Sequence, residues 1–304
     1  MNILGRLFPL MLMLSYLSGC ASFNYTQNDS PTPLNSVPEI SPRPKVALVL
    51  GSGGPRGYAH IGVMKVLEES GIDYDLVVGS SVGSLIGAFW ANGYNADEID
   101  EISKQGNPFT VFDFSLFADR GWIHGQRLQE FVNQRLCYQT IESMPRKFIA
   151  VSTRIRDKQA VFFTTGNVGV AVRASSAVSK VFSPVGINGI EYEDGDESLP
   201  VAVRAARQAG AQFVIAVDVT AVPGTAPANT SAARLERESK RRSRIAPELI
   251  EADFVIHPDM GFGTVPTATF FKHARLTGEA AAKSLMPQLK MAIEAKKIHK
   301  TEIP

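Results

Sequence analysis

The sequence has almost no net charge and very little cysteine. Its 31 Lys and Arg residues balance 30 Asp and Glu residues to a net charge of +1, so nothing indicates nucleic acid as a partner. The two cysteines permit one disulfide at most. No group of Asp, His and Cys residues has the spacing of a metal site, so neither a metal nor another cofactor is expected. With 304 residues, 44% of them hydrophobic, the chain can bury a sizeable core.

A hydrophobic run long enough to cross a bilayer is also lacking. The apolar stretch of residues 7–14 follows Arg6 and is too short to remain in a membrane, so it predicts a secretory signal. It leads to the tetrapeptide LSGC at residues 17–20, which resembles the bacterial lipobox. That resemblance implies cleavage before Cys20 and lipid attached to it. We therefore expect a lipoprotein signal peptide at residues 1–19, with an ordinary signal peptide and a chance cysteine as the alternative.

Residues 20–44 are rich in Ser, Thr, Asn and Pro and show no apolar periodicity. This composition predicts a tether that holds the folded body, expected at 45–304, away from the membrane. Lipid on Cys20 would leave Cys137 without a disulfide partner, and its position at the end of an amphipathic pattern predicts a buried, inert thiol. Ala21 lacks the carboxylate that retains many lipoproteins in the inner membrane, so the resemblance favours a periplasm-facing site on the outer membrane.

Apolar runs alternate with helical patterns through the body. Residues 45–50, 74–79 and 212–219 are typical of strands buried on both faces. Helical patterns separate these runs, and a long one occupies residues 267–297. The alternation predicts an α/β fold with a mostly parallel central sheet that helices cover on both faces.

The stretch VVGSSVGS, residues 77–84, contains one serine in the pattern G-x-S-x-G. Only Ser81 has a glycine both two positions before it, Gly79, and two positions after it, Gly83. The motif stands between a predicted strand and a predicted helix, where a nucleophile must project from a sharp turn and flanking side chains would collide. The helix N-terminus would favour developing negative charge. Ser81 is therefore the candidate nucleophile, and a glycine-rich turn without catalysis is the alternative.

A second glycine-rich loop, GSGGPRG at residues 51–57, follows the first predicted strand. Its glycine spacing fails the dinucleotide-binding motif, and no Lys-Ser or Lys-Thr pair completes a P-loop. We expect instead that the backbone N–H groups of Gly53 and Gly54 form an oxyanion hole. Arg56 is a candidate contact for an anion or for substrate, with a solvent-exposed arginine as the equal alternative.

A serine nucleophile needs a base. His257 and His273 are the late histidines that a Ser-Asp-His order requires, but neither lies in a glycine-rich loop. The competing base is a carboxylate, because Asp194 precedes Gly195 in a predicted tight turn, with Asp196 as its rival. A carboxylate held directly on the serine acts as a general base if it is desolvated and positioned.

Four motifs in order, the glycine loop, GSSVGS, RASSAVSKVFSPV and EDG, resemble a patatin-like phospholipase. The resemblance implies a three-layer α/β/α fold, hydrolysis of lipid acyl esters, and a Ser–Asp dyad without histidine. It places Ser81 as the nucleophile, Asp194 as the dyad acid, and Gly53 with Gly54 on the oxyanion loop. This chain departs from the family in reading Asp-Gly-Asp at the dyad motif and in a slightly shorter loop after it.

Together these features predict a lipid-anchored acyl hydrolase of the bacterial cell envelope. Its expected substrate is membrane phospholipid or lysophospholipid. A hydrolase of small soluble esters or thioesters is one alternative, and a non-catalytic envelope lipoprotein, favoured by the Asp-Gly-Asp motif, is another. Residues 234–244 hold six basic and two acidic side chains that could contact anionic headgroups. A solvated, partly disordered loop or helix is the stronger interpretation of that segment.

Overall fold

The computed structural model describes residues 24–106 and 111–296, and ten short strands in this part of the chain form one sheet. In chain order the strands are β1 (Asn24–Tyr25), β2 (Pro33–Leu34), β3 (Val46–Leu50), β4 (Leu76–Ser80), β5 (Lys147–Arg154), β6 (Gln159–Phe163), β7 (Val185–Ile187), β8 (Ile190–Asp194), β9 (Phe213–Val217) and β10 (Phe254–Ile256). The helices are α1 (Tyr58–Glu69), α2 (Val82–Ala91), α3 (Ala96–Gln105), α4 (Gln126–Arg135), α5 (Val168–Ser175), α6 (Val203–Gln208), α7 (Ala232–Leu249) and α8 (Ala268–Ala295). The predicted signal peptide and Cys20 lie outside the described residues.

The centre of the sheet is parallel, and one side of it is antiparallel. β5, β4, β3, β9 and β10 follow one another as parallel neighbours, which confirms the predicted mostly parallel sheet. β6 and β8 pair antiparallel with β5, and β7 pairs antiparallel with β8. Asn188 and Gly189 join β7 to β8 with positive φ angles of 50° and 78°, the combination of a type I′ hairpin turn.

Helices cover both faces of the sheet because the side chains of each strand alternate between them. Leu48 and Leu50 of β3 pack into a core with residues of α1, α2, α5 and α8. Ala47 and Val49, on the other face, pack with residues of α6 and α7. The result is the expected three-layer α/β/α arrangement. Within the two described ranges, no helix combines the length and the apolar character that crossing a bilayer requires.

The segment predicted as a tether lies against the body from Asn24 onward. β1 pairs with β7, and β2 pairs with β6. Val37 is buried, and the N–H of Ile40 donates to the carbonyl of Ala209. A free tether is therefore wrong for residues 24–44. The physical reason is that sheet edges present unpaired N–H and C=O groups, which even a polar, proline-rich segment can satisfy.

Cys137 is exposed rather than buried. α4 ends at Arg135, and Cys137 lies beyond that end with a left-handed φ of 52°. The amphipathic pattern that predicted its burial therefore stops before it. The prediction of a buried thiol is wrong.

α1 and α8 cross in direct backbone contact at two glycines. A Cβ on Gly62 would overlap the carbonyl oxygen of Arg275 in α8, and a Cβ on Gly278 would overlap the carbonyl oxygen of Ala59 in α1. The two glycines thus set the distance between the helices, and α8 is held over α1 by this close approach.

We expect Gly278→Ala to lower the Tm, although alanine in a helix interior ordinarily gains about 0.5–1 kcal/mol over glycine. Overpacking of a close contact costs roughly 1–3 kcal/mol and reverses that gain. Gly224→Ala is the control, because a Cβ there would have nothing within 4 Å. Thermal unfolding followed by circular dichroism measures both variants, and a raised Tm for Gly278→Ala would contradict the close crossing.

Candidate active site

Two strands that pair with β5, β4 and β8, bring Ser81 and Asp194 together. β4 runs parallel to β5 and ends with Ser80 opposite Val151. β8 runs antiparallel to β5 and ends with Asp194 opposite Ser152. β6 occupies one edge of β5, so β4 and β8 both lie along the opposite edge. They run towards each other there, because one is parallel and the other antiparallel to β5. Their carboxyl ends meet, and Ser81 follows β4 directly at this junction.

Ser81 lies in a strained turn between β4 and α2. Its backbone has φ 54° and ψ −125°, a conformation that a residue with a Cβ adopts only when the surrounding structure enforces it. A Cβ on Gly79 would overlap the backbone of Gly83, and a Cβ on Gly83 would overlap the carbonyl of Leu50. The flanking glycines therefore have the steric role that the G-x-S-x-G pattern predicts. Ser84 tightens the turn by donating its hydroxyl hydrogen to the Ser81 carbonyl at 2.7 Å.

The Ser81 hydroxyl donates a hydrogen bond to the Asp194 carboxylate, with 2.7 Å between Oγ and Oδ2. Ser81 is 6% exposed and Asp194 is 2% exposed, so the bond lies in a nearly dry environment. The other carboxylate oxygen of Asp194 accepts the N–H of Asp196 at 2.8 Å. Its backbone N–H donates to Ala177, and its carbonyl accepts the Thr153 hydroxyl. Hydrogen bonds to both carboxylate oxygens and to both backbone groups thus fix the position of Asp194.

The pKa of Asp194 is raised to about 8, first by burial and next by the nearby negative charge of Asp196. The hydrogen bonds from the Asp196 N–H and the Ser81 hydroxyl, together with the charge of Arg241, act in the opposite direction. A carboxyl group with a pKa near neutrality is matched to proton transfer with a hydroxyl. A raised pKa together with a hydrogen bond to a hydroxyl is the combination that a general base requires.

Asp196, the unusual residue of the Asp-Gly-Asp motif, is paired with Arg241 of α7. The Arg241 guanidinium donates to both carboxylate oxygens, with Nε–Oδ1 at 2.8 Å and Nη2–Oδ2 at 2.6 Å. The Ser52 hydroxyl donates to the same carboxylate, and Arg244 donates to the Asp196 carbonyl at 3.0 Å. Asp196 therefore links the glycine loop to α7, and the Ser81 hydroxyl donates to Asp194 and not to Asp196.

The basic segment 234–244 lies within α7, which agrees with the helical form of the solvated segment that the sequence indicated. It is not solvated throughout, because Arg241, Arg242 and Arg244 donate hydrogen bonds to residues outside the helix. Arg241 was not identified as a site residue from the sequence. The available signal was an electrostatic one: two adjacent carboxyl groups at a buried turn require a cation, and this segment carries the largest local excess of arginine and lysine.

Gly53 and Gly54 lie after β3, which runs parallel to β4. The glycine loop and the turn at Ser81 therefore lie at the same end of the sheet, where these strands have their carboxyl ends. Gly54 has a φ of 56°, which favours glycine. Neither of their N–H groups has a hydrogen-bond partner among the described residues. A Cβ on Gly57 would overlap the Val82 side chain, so this loop packs against the first residue of α2. The arrangement leaves two donors at the edge where Ser81 projects.

His60 holds the start of the glycine loop in place. Its Nε2 lies 2.8 Å from the carbonyl oxygen of Gly51, to which it donates. Burial lowers the pKa of His60 to about 4, so the imidazole is neutral at physiological pH. The N–H of Ser52 donates to the carbonyl of Pro200 at 2.8 Å, which ties the same loop to the segment that follows Asp194.

Arg56 is buried, so the solvent-exposed alternative is wrong. Its Nη2 donates to the carbonyl of Phe262 at 2.6 Å, and Arg234 donates to the same carbonyl at 2.8 Å. Burial lowers the pKa of Arg56, while the charge of Glu238 opposes that effect. The guanidinium thus secures the loop that contains Phe262, and its contact with an anion or substrate stays a prediction.

The late histidines lie elsewhere. His257 has its Nδ1 3.5 Å from the Oδ2 of Asp218, and His273 lies on an exposed position of α8. Neither is a hydrogen-bond partner of Ser81 in the described part of the chain. The geometry therefore favours the carboxylate over an imidazole as the base.

We expect the stability advantage of Asp194→Asn over the wild type to grow as the pH rises from about 4 to about 8. The folded pKa of Asp194 is raised above its ordinary value of 3.8, so the folded state holds a proton in this window that the unfolded chain has released. Stability from this group is therefore lost as the pH rises, and the amide has no proton to lose. Thermal unfolding of both proteins across this range measures the difference, and parallel Tm curves would contradict a buried carboxyl group of raised pKa.

Comparisons with known proteins found relatives of this chain. The family model for the patatin-like phospholipase matches residues 48–203, more than half of the chain, and that interval contains Ser81, Asp194 and the glycine loop. An NTE family protein of Mycobacterium tuberculosis is 34% identical over 182 residues, which cover 59% of this chain and 50% of that protein. The lysophospholipase NTE1 of Yarrowia lipolytica is 30% identical over 216 residues, which cover 69% of this chain and 15% of the relative.

The crystal structure of VipD from Legionella pneumophila has a similar fold. The TM-score is 0.56 at 14% sequence identity, and the match covers 86% of this chain and 71% of VipD. The chain spans only half, or less, of the length of the curated relatives above. Arg241 and the rest of α7 lie outside the interval that the family model matches.

Proposed function

This chain belongs to the patatin-like phospholipase family, and we propose that it hydrolyses lipid acyl esters with Ser81 and Asp194 as a catalytic dyad. The observation that carries the proposal is the 2.7 Å hydrogen bond between a serine in a strained turn and a buried carboxylate. The lysophospholipase name of one relative supports a lipid ester as the substrate class.

In the first half of the reaction, Asp194 accepts the proton of the Ser81 hydroxyl while Oγ attacks the ester carbonyl carbon. The carbonyl oxygen becomes an oxyanion, which the N–H groups of Gly53 and Gly54 would stabilise. Collapse of the tetrahedral intermediate breaks the ester bond, and the departing alcohol takes the proton from Asp194. The acyl group is then bonded to Ser81.

In the second half, Asp194 accepts a proton from a water molecule that attacks the acyl-enzyme. The same donors stabilise the second oxyanion, and collapse releases the fatty acid and returns the proton to Ser81. Ser81 precedes α2, whose N-terminal partial positive charge favours negative charge at this position. One carboxyl group thus serves as base and acid in turn, without an imidazole.

The proposed substrate is membrane phospholipid or lysophospholipid, reached from the bacterial cell envelope. A lipid on Cys20 would hold the enzyme facing the periplasm, on the outer membrane in this proposal, beside its substrate. The alternative of a non-catalytic lipoprotein had depended on the second carboxylate of the Asp-Gly-Asp motif. The ion pair between Asp196 and Arg241 counts against that alternative, because it gives the second carboxylate a partner of opposite charge.

We expect Ser81→Ala to lower hydrolysis of lysophosphatidylcholine by roughly a thousandfold or more, because no other group can carry the acyl intermediate. Ser80→Ala is the matched control, since its hydroxyl has no hydrogen-bond partner among the described residues, and it should retain wild-type turnover. Fatty-acid release measures both. Comparing lysophospholipid with short-chain nitrophenyl esters tests the substrate class, and retained turnover in Ser81→Ala would contradict the dyad.

We expect kcat/KM to rise with pH through about 8, as Asp194 ionises. Asp196→Asn removes a negative charge that raises the pKa of Asp194, so its acid limb should move to lower pH. Arg241→Gln removes a positive charge that lowers this pKa, so its acid limb should move to higher pH. Arg237→Gln, an exposed position of the same helix, is the control. Shifts of both variants in the same direction would contradict the assignment of Asp194 as the titrating base.

A further inference from the structure

We propose that an exposed apolar hairpin beside the dyad inserts into the surface of a phospholipid bilayer and directs the active site towards its substrate. The hairpin spans residues 113–124, and we refer to its exposed hydrophobic side chains as the apolar tip. The inference rests on the proposed lipid hydrolase function and adds the surface through which the enzyme meets the membrane.

The apolar tip is large and solvent-exposed. The exposed fractions are 91% for Leu116, 79% for Phe117, 65% for Trp122 and 59% for Phe114. Val178 and Val181, on the adjoining segment, are also exposed. Exposed apolar side chains that lie together in this way on a protein surface mark an interaction site. Tryptophan in particular suits the boundary between water and lipid, because its ring is apolar and its N–H is polar.

The backbone beneath the tip is well fixed. Phe114 and Ile123 form an antiparallel bridge, and the N–H of Ser115 donates to the Trp122 carbonyl at 2.8 Å. The buried side chains of Ile123, Leu128 and Phe182 form a small core under the hairpin. The tip is therefore part of a hairpin that hydrogen bonds and a small core hold in one conformation, and this lowers the entropic cost of inserting it into a membrane.

The tip and the dyad are joined through one short segment. The N–H groups of Trp122 and Ile123 both donate to the Val181 carbonyl, at 2.8 and 3.0 Å. A few residues earlier in the same segment, Ser175 accepts the N–H of Ser81 at 3.0 Å. Ala177 accepts the N–H of Asp194 at 3.0 Å. A membrane bound at the tip would thus lie beside the strand ends that carry the nucleophile and its base.

The position of the chain start favours a bilayer over a second copy of this protein. β1 runs parallel to β7, with Asn24 opposite Gly186, so Asn24 lies at the end of β7 that Phe182 precedes. Cys20 lies outside the described residues and is four positions before Asn24 in the sequence, and four residues of fully extended chain span at most about 14 Å. The predicted lipid anchor and the apolar tip would therefore reach the same membrane. Lys180, exposed between the two valines, adds a positive charge suited to anionic headgroups.

Tryptophan fluorescence tests this arrangement directly. The sequence contains two tryptophans: Trp90 is buried against Tyr74, and Trp122 is exposed. We expect vesicles of phosphatidylethanolamine and phosphatidylglycerol to shift the emission of the full chain carrying Cys20→Ser to shorter wavelength. Trp122→Phe should abolish the shift, and Trp90→Phe should retain it. No shift with the unanchored protein would overturn the proposal.

Vesicle co-sedimentation tests the energetic contribution of the tip. In the same Cys20→Ser background, Leu116→Ser with Phe117→Ser should lower the vesicle partition coefficient by about tenfold or more, because two inserted apolar side chains are lost. Ile250→Ser with Met291→Ser, exposed apolar positions elsewhere on the surface, is the matched control and should change it less than about twofold. Equal vesicle binding by both double variants would contradict the bilayer as the occupant. So would a wild-type dimer that the tip substitutions dissociate without lowering vesicle binding.

Hydrolysis of a short-chain nitrophenyl ester separates this inference from the proposed function. The tip variant should keep wild-type turnover of the soluble ester while losing turnover of vesicle phospholipid. If the wild-type enzyme binds vesicles but cleaves neither the nitrophenyl ester nor vesicle phospholipid, the proposed hydrolase function is refuted and membrane binding by the tip is not. Equal turnover of vesicle phospholipid by the tip variant and the wild type would refute the membrane-docking role alone.

Discussion

The hydrogen bond between the Ser81 hydroxyl and the Asp194 carboxylate is the constraint on which the rest of the structure depends. It requires two strands to meet carboxyl end to carboxyl end, which occurs because β5 pairs with a parallel and an antiparallel partner along one edge. It also requires a turn that only flanking glycines permit. Ser175 and Ala177 then accept the backbone N–H groups of Ser81 and Asp194, so the geometry is held both by the sheet and by the end of α5 with the residues that follow it.

Electrostatics impose a second requirement on the same site. A carboxylate placed in a dry environment is destabilised, and in this chain a second carboxylate follows two residues later. Arg241 compensates Asp196 by a two-point ion pair, and Glu238 in turn accepts from Arg241 at 2.6 Å. The site therefore depends on α7, in the opposite helical layer from α2. Keeping Asp194 buried costs stability and gives it the pKa range that a general base needs.

Local patterns in the sequence were sufficient for the parts of the protein that depend on neighbouring residues. The apolar runs predicted the parallel strands, and the glycines around Ser81 predicted the strained turn. Contacts between distant segments were beyond such patterns. The pairing of residues 24–44 with sheet edges depends on edges that exist only after folding, and the partner of Asp196 lies 45 positions along the chain. Cys137 was misjudged because a helical periodicity does not show where the helix ends.

The most direct test of the account is the rate at which a fluorophosphonate labels the protein, with the modified residue located by mass spectrometry. We predict one adduct on Ser81, a labelling rate that rises with pH through about 8, a large loss of rate in Asp194→Asn, and a wild-type rate in His257→Ala. Labelling at another residue, or a rate that depends on His257 and not on Asp194, would contradict the dyad.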